Sequence, residues 1–186
     1  MPSLVVMVEE QSAQEVLKVI LPQVLPKGTQ LTIIPHSGKS HLWKSMPKKL
    51  KAWNVPDAKF VVLQDQDSAE CIKLKSELQD LCNRCRDGVL VRIACVELEA
   101  WYFGDLDAVS KAYDLKQLSE LAQKKKFREP DKINNPKNEL KKLIPLHQEI
   151  RGAKLIAPHM DIAGNTSQSF RAFITGIQRL FEEISP

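Results

Sequence analysis

The pattern of apolar and polar positions changes along the chain. In the first hundred residues, short apolar runs alternate with segments whose apolar residues recur every three to four positions, which is typical of strands alternating with helices. The predicted strands are residues 4–8, 31–35, 59–63 and 89–96. Strands that are separated by helices pair in parallel. The pattern therefore predicts an α/β fold, a Rossmann-like and mostly parallel sheet flanked by helices.

Three helices are predicted between these strands. The first begins at Ser12, which we expect to cap it in a capping box with Glu15. The second contains Pro47, which is expected to weaken its middle. The third spans residues 68–86, with Ile72 among its apolar positions.

From residue 97 onward the pattern is that of helices. Short helices are predicted over residues 97–103, 106–113 and 115–124. Residues 125–136 are polar and contain two prolines, so a loop or a flexible lid is predicted there. The last helix is predicted from apolar residues at helical spacing: Phe170, Phe173, Ile174, Ile177, Leu180, Phe181 and Ile184.

The chain is thus predicted to have two parts, an α/β core over residues 1–104 and a C-terminal helical extension over residues 105–186 that packs on the core. Trp101, Tyr102 and Phe103 lie just before this boundary. We expect these aromatic side chains to pack the helical part against the sheet. The open alternative is that they stack on the bases of an unpaired nucleic-acid strand.

Composition and charge narrow the classes of function. No apolar run approaches the roughly 18–20 residues of a membrane span, and the N-terminus enters a strand without the basic region of a signal peptide. We therefore expect a cytoplasmic protein that does not contact a membrane. The net charge of +4 is concentrated in basic clusters at residues 48–51, 124–128 and 137–142. Such clusters fit either a phosphate backbone or solvated helix faces.

The cysteines do not indicate a metal centre. Cys82 and Cys85 form a Cys-x-x-Cys pair, but it lies near the end of a predicted helix, and no second such pair completes a zinc site. Buried thiols are the expectation.

Two carboxylates follow the third predicted strand. Side chains on a strand alternate between its faces, so Asp65 and Asp67 are expected to project from the same side. The open alternative is a solvated turn that caps the next helix.

Further carboxylates follow the other strands. Glu9 follows the first strand, and Glu97 and Glu99 follow the fourth, where they share a side if the strand extends that far. The carboxyl ends of parallel strands meet at one edge of a sheet, which is where ligands bind. Acidic residues that converge there indicate a site for Mg²⁺ or Mn²⁺. The alternative for the last pair is that Glu97 caps a helix and Glu99 is solvated.

The turn after the second strand carries Gly38 and Lys39. A phosphate-binding P-loop requires a glycine five residues before Gly38, where this chain has Ile33. The turn is nevertheless predicted to bind a phosphate through its backbone N–H groups and Lys39. His36 and His41 are either additional ligands or surface histidines.

This constellation resembles the TOPRIM domain, the metal-binding module shared by topoisomerases, primases and OLD-type nucleases. That family places a glutamate after its first strand, a glycine turn after its second and Asp-x-Asp after its third, which match Glu9, Gly38 and the pair Asp65 and Asp67. Together with the segments 92–101 and 135–137, these motifs are similar to a small stand-alone bacterial TOPRIM-like family of unknown function. This narrower resemblance covers nearly all of the chain.

The resemblance implies a Mg²⁺-dependent (or Mn²⁺-dependent) nuclease. Asp65 and Asp67 would coordinate the metal, Glu9 would move a proton or help to hold the metal, and Glu97 and Glu99 are candidates for extra ligands. Nucleic acid is the implied substrate. Relatives in this broad class often act beside a separate ABC-type or SMC-like ATPase in phage-defence or mobile-element loci.

Other functions are weighed against the nuclease. Strand passage needs a tyrosine on a separate gating domain, and the chain has only Tyr102 and Tyr113, both in its helical part. A non-catalytic module that binds a metal, a nucleic acid or a protein is the main alternative, because position 10 is Glu where the family often has glycine and the net charge is modest. A small-molecule phosphohydrolase is a third.

Overall fold

The computed structural model describes residues 1–182, in which strands alternate with helices up to β4 and only helices follow. The strands are β1 (Ser3–Val8), β2 (Gln30–Pro35), β3 (Ala58–Asp65) and β4 (Leu90–Ala94). The helices are α1 (Gln11–Val24), α2 (Lys39–Ala52), α3 (Cys71–Asn83), α4 (Glu99–Phe103), α5 (Leu106–Tyr113), α6 (Gln117–Glu120), α7 (Pro136–Leu143), α8 (Glu149–Ile156) and α9 (Gln168–Glu182).

All strand pairs of the described sheet are parallel, in the order β2-β1-β3-β4. The predicted α/β class is therefore confirmed. The chain moves outward in one direction from β1 to β2 and in the other from β3 to β4, so the direction of winding switches between β1 and β3. Open α/β sheets bind their ligands at the carboxyl ends of the strands that flank such a switch point.

The helices cover both faces of the sheet. Alternate residues of β1 point to opposite faces: Leu4 and Val6 pack with α1, whereas Val5 and Met7 pack with α2 and α3. The helical part packs on the α1 face, and its core is continuous with that of α1. The division of the chain at residue 104 stays a prediction.

The aromatic residues of α4 fix this packing. Trp101, Tyr102 and Phe103 are fully buried, and the Trp101 ring lies against Phe170 and Phe173 of α9 at centroid distances of 5.1 and 5.3 Å. They therefore pack the helical part onto the sheet, as expected, and are not available to stack on bases.

Several predicted boundaries were wrong. Helix α1 begins at Gln11 without a side-chain cap, and Ser12 is buried inside it, so the capping box does not form. Helix α3 begins later than predicted because Glu70 caps it, accepting hydrogen bonds from the amides of Ile72 and Lys73 at 3.0 and 2.7 Å. Ile72 is exposed. Helix α2 continues through Pro47.

Residues 125–136 are not a lid over the sheet. The side chains of Phe127, Pro130 and Ile133 are buried. The carboxylate of Asp131 accepts hydrogen bonds from the hydroxyl of Ser167, just before α9, and from the amide of Ser169 in its first turn. The segment is thus part of the packed helical half. Helix α9 follows its predicted pattern, although Ile184 lies outside the described residues. None of the helices within residues 1–182 is long and apolar enough to span a membrane.

Candidate functional site

The ends of β1 and β3 place two carboxylates at the switch point. Val8 and Leu63 are paired in the sheet, so Glu9 and Asp65 follow on neighbouring strands. The turn after β2 is held against Glu9, because the amide of Gly38 donates to the Glu9 carbonyl at 3.0 Å. The Oε2 atom of Glu9 is buried and has no hydrogen-bond partner. A buried carboxylate oxygen without a partner calls for a proton or a cation.

Burial and mutual repulsion raise the pKa values of these carboxylates. The pKa of Glu9 is raised to about 7, first by burial and then by the charge of Asp67, while the backbone amide of Asp65 and the cation of Lys39 oppose the shift. The pKa of Asp65 is also raised, by burial and by the charges of Glu99 and Glu9. Carboxylates at the switch point therefore lie close enough to repel one another.

Asp67 does not share a strand face with Asp65, contrary to prediction. Strand β3 ends at Asp65, and Asp67 adopts a left-handed backbone conformation with φ of 53°. Its amide donates to the carbonyl of Val96 at 2.7 Å, which ties the loop after β3 to the loop after β4. Asp67 is exposed, and its negative charge raises the pKa of Glu9. Asp65 and Asp67 are therefore held near each other by the turn after β3, and not by the alternation of side chains along a strand.

Glu97 and Glu99 do not share a strand side either. Strand β4 ends at Ala94, because Val96 turns the chain with φ of 60°. Glu99 begins α4 and is only 3% exposed, so the alternative of a solvated Glu99 is wrong. Burial raises its pKa to about 7 although Lys137 opposes the shift. Glu97 does cap a helix, but a distant one: its Oε2 accepts from the amide of Lys137 in α7 at 2.8 Å.

Lys137 is the charged residue beside these carboxylates that reasoning from spacing missed. Its ammonium lies 3.3 Å from Glu149, and although burial acts to lower its pKa, the carboxylates of Glu99, Glu10 and Glu149 raise it. The helical half thus contributes a cation to the acidic edge of the sheet. The available signal was the segment 135–137, in which a proline occupies the first position of a helix.

We expect Lys137→Met to destabilise the protein by about 2 kcal/mol, because it leaves the buried Glu99 without its cation. Lys141→Met is the matched control, since Lys141 lies on the same helix and is 3.7 Å from the same Glu149. Urea denaturation at pH 8 measures both. Equal losses would mean that Lys137 acts only through Glu149.

Two histidines lie at the turn after β2: His36 is in the turn, and His41 is in the first turn of α2. His36 is buried, its ring Nδ1 lies 2.8 Å from the Val8 carbonyl, and burial lowers its pKa. His41 is exposed and accepts from the Ser37 amide. His36 therefore supports the turn that carries Gly38, which has φ of 91°, and Lys39. Phosphate binding by this turn stays a prediction.

The donor set fits a magnesium ion better than a closed metal centre. Within residues 1–182, no three Asp, Glu, His or Cys side chains form a ready-made metal centre. Mg²⁺ usually takes only one or two protein carboxylates and completes its shell with waters and substrate phosphates. Glu9, with its unpaired buried oxygen, and Asp65, which repels it, are candidates for these carboxylates. A structural zinc site would require four converging ligands.

The fold and site define an α/β protein with an acidic centre at the switch point of a parallel sheet. The chain matches the family described as "Domain of unknown function (DUF4276)" over residues 8–178, and it belongs to this family. No curated protein matches it. Among solved structures it is similar to the C-terminal region of the Burkholderia pseudomallei OLD protein, with 17% identity, a TM-score of 0.51 and 97% of each chain covered. At this identity the likeness shows a shared fold.

Proposed function

We propose that this protein is a metal-dependent nuclease of the TOPRIM type, which hydrolyses phosphodiester bonds in nucleic acid. The observation that carries the proposal is the meeting of Glu9 and Asp65 at the switch point, with an unpartnered buried oxygen on Glu9. The fold shared with the OLD C-terminal region supports a relation to nucleases.

The residues at this edge have distinct proposed roles. Asp65 and Asp67 hold Mg²⁺ (or Mn²⁺), with Glu97 and Glu99 as candidates for further ligands. The bound metal would supply charge neutralisation at the phosphate and an activated water. Glu9 either moves a proton or helps to hold the metal, and in the first role its pKa of about 7 suits general base catalysis at neutral pH.

Lys39 and Lys137 are the cations near these carboxylates. The positive charge of Lys39 acts to lower the pKa of Glu9, and that of Lys137 acts to lower the pKa of Glu99. In the proposed reaction they bind non-bridging phosphate oxygens and orient the substrate. We further propose that the protein works in the cytoplasm with a separate ABC-type or SMC-like ATPase.

The test is cleavage of supercoiled plasmid, single-stranded DNA and RNA in Mg²⁺ or Mn²⁺, with EDTA as the blank. We expect Asp65→Ala/Asp67→Ala to lose at least about 100-fold in rate. Asp80→Ala/Asp87→Ala is the matched control, because both residues are exposed and lie near the opposite end of β4. Cleavage that survives in the first variant would overturn the assigned site.

A non-catalytic module is the second candidate. It is favoured by Glu10, which stands where the family often has glycine, and by the modest net charge of +4. Such a module would bind nucleic acid equally well in EDTA and in Mg²⁺, and it would cleave none of the three substrates.

A further inference from the structure

A groove between α2 and α3 opens beside the candidate site. Its volume is about 640 Å³, which is within the usual size of ligand pockets. It is lined by the amino-terminal parts of both helices, including Lys39, Trp43 and Lys44 from α2 and Lys73 and Leu74 from α3. We call it the α2–α3 groove. It lies on the face of the sheet that the helical half does not cover.

The groove combines a fixed aromatic ring with cations. The indole N–H of Trp43 donates to Oε1 of the buried Gln64 on β3 at 2.7 Å, which fixes the ring in the wall. Within residues 1–182, Lys39, Lys44 and Lys73 form no ion pair. Aromatic rings stack on bases, and lysines neutralise phosphates.

Two acidic residues, Glu70 and Glu77, also line the groove, and Glu70 already serves as the cap of α3. The carboxylate of Glu70 accepts hydrogen bonds from two amides as the cap of α3. Glu77 lies one turn further along α3 than Lys73, away from the carboxylate edge. With three lysines against two carboxylates, the charged residues that line the groove still sum to a net charge of +1.

The groove leads directly to the acidic edge. Lys39 lines the groove, and its positive charge also acts to lower the pKa of Glu9. Ala69, another lining residue, comes two positions after Asp67. A chain lying in the groove would thus pass from Trp43 to the ends of β1 and β3.

We propose that the α2–α3 groove binds a single-stranded segment of nucleic acid, with an unpaired base against Trp43 and its phosphates on Lys44, Lys73 and Lys39. This inference rests on the proposed nuclease function and specifies its substrate. A paired base within a duplex does not present its face to a side groove, so the groove selects single strands.

Binding without catalysis tests the groove. The probe is a fluorescein-labelled oligothymidylate of about 12 nucleotides, measured by anisotropy in EDTA at low salt. We expect Lys44→Ala/Lys73→Ala to weaken binding roughly tenfold. The matched control is Lys48→Ala/Lys51→Ala, which removes two exposed lysines of α2 outside the groove and should change affinity less than about twofold.

The aromatic contact has its own variants. Trp43→Ala should weaken binding roughly tenfold, whereas Trp43→Phe keeps a ring and should stay within about threefold of the wild type. Circular dichroism melting identifies any loss from unfolding, and the exposed lysine variants remain a test if Trp43→Ala does not fold. Equal weakening by Phe and Ala would overturn the stacking contact.

Three results would overturn the groove as a single-strand site. These are wild-type affinity in the Lys44→Ala/Lys73→Ala variant, a duplex bound as tightly as the single strand, and thymidine monophosphate competing as well as the oligonucleotide. The proposed function fails separately: groove-dependent binding with no Mg²⁺-dependent cleavage retains the groove and removes the nuclease. Mg²⁺-dependent cleavage that is unchanged by the groove substitutions would retain the nuclease and remove the groove.

Discussion

Replacing Asp65 with Asn is expected to abolish metal-dependent cleavage and, at the same time, to make the folded protein more stable. Asp65 is the last residue of β3 and lies at the switch point beside Glu9. An amide is a much weaker ligand for Mg²⁺ than a carboxylate, so we expect a rate loss of at least about 100-fold.

The gain in stability follows from the electrostatics of the metal-free site. The pKa of Asp65 is raised by burial and by the charges of Glu99 and Glu9, so the charged carboxylate is less favourable in the folded protein than in the unfolded chain. Asn removes this charge. If the relief is about 1 kcal/mol, Tm rises by roughly 2–4 °C.

Thermal melting in EDTA at pH 8, combined with the plasmid assay, measures both effects. Asp80→Asn is the control for loss of an exposed carboxylate, and it should change neither quantity appreciably. A less stable Asp65→Asn protein would show that the carboxylate is structural. A more stable and fully active one would remove Asp65 from the proposed site.

The sheet could be predicted from the sequence because its strands are buried. The apolar runs of β1 and β3 are covered by helices on both faces, so their sequences are continuously hydrophobic. Parallel pairing then places the residues after β1 and β3 at one edge. This reasoning is why Glu9 and Asp65 could be predicted as neighbours without any structure.

The turns could not be predicted in the same way. Asp67 and Val96 both adopt positive φ angles, a conformation that a β-branched residue such as Val96 rarely adopts. Tertiary hydrogen bonds hold it there: the Val96 amide donates to the Gln66 side chain, and its carbonyl accepts from Asp67. No hydrophobic period encodes such a contact, so the predicted strand continued too far.

Contacts between segments that are far apart in the sequence could not be predicted from the hydrophobic pattern either. Lys137 faces Glu99 only because α7 packs near the acidic edge, where Glu97 binds its first turn. The sequence spacing of forty residues between Glu97 and Lys137 has no structural period. A family motif was the available signal for this residue.

The second large effect concerns pH and magnesium. In EDTA, we expect the stability contribution of the acidic edge to decline as pH rises from about 4.5 to about 7. The pKa values of Glu9 and Glu99 are raised from 4.5 to about 7, so the folded protein retains protons that the unfolded chain has released in this window. Their stabilising protonation is complete below 4.5 and is lost as pH passes about 7.

Two histidines act in the opposite sense. The pKa values of His36 and His147 are lowered by burial, so their contribution is present above the usual histidine value and is lost as pH falls below it. The comparison of wild type with Glu99→Gln separates the effects, because both proteins contain these histidines. The difference in Tm between them should grow with pH, with Glu99→Gln the more stable at pH 8.

Magnesium should reverse the decline, because a cation at Glu9 and Asp65 favours their charged forms against the burial and the repulsion that raise their pKa values. At about 100 times its dissociation constant a ligand adds about 2.7 kcal/mol, which corresponds to a rise in Tm of roughly 5–10 °C. The rise should be larger at pH 8 than at pH 5.5, since protons compete with the metal for the carboxylates. Asp65→Asn/Asp67→Asn should lose it, with KCl at matched ionic strength as the control for screening. An equal rise in that variant would mean that Mg²⁺ binds elsewhere, and the proposed metal site would be wrong.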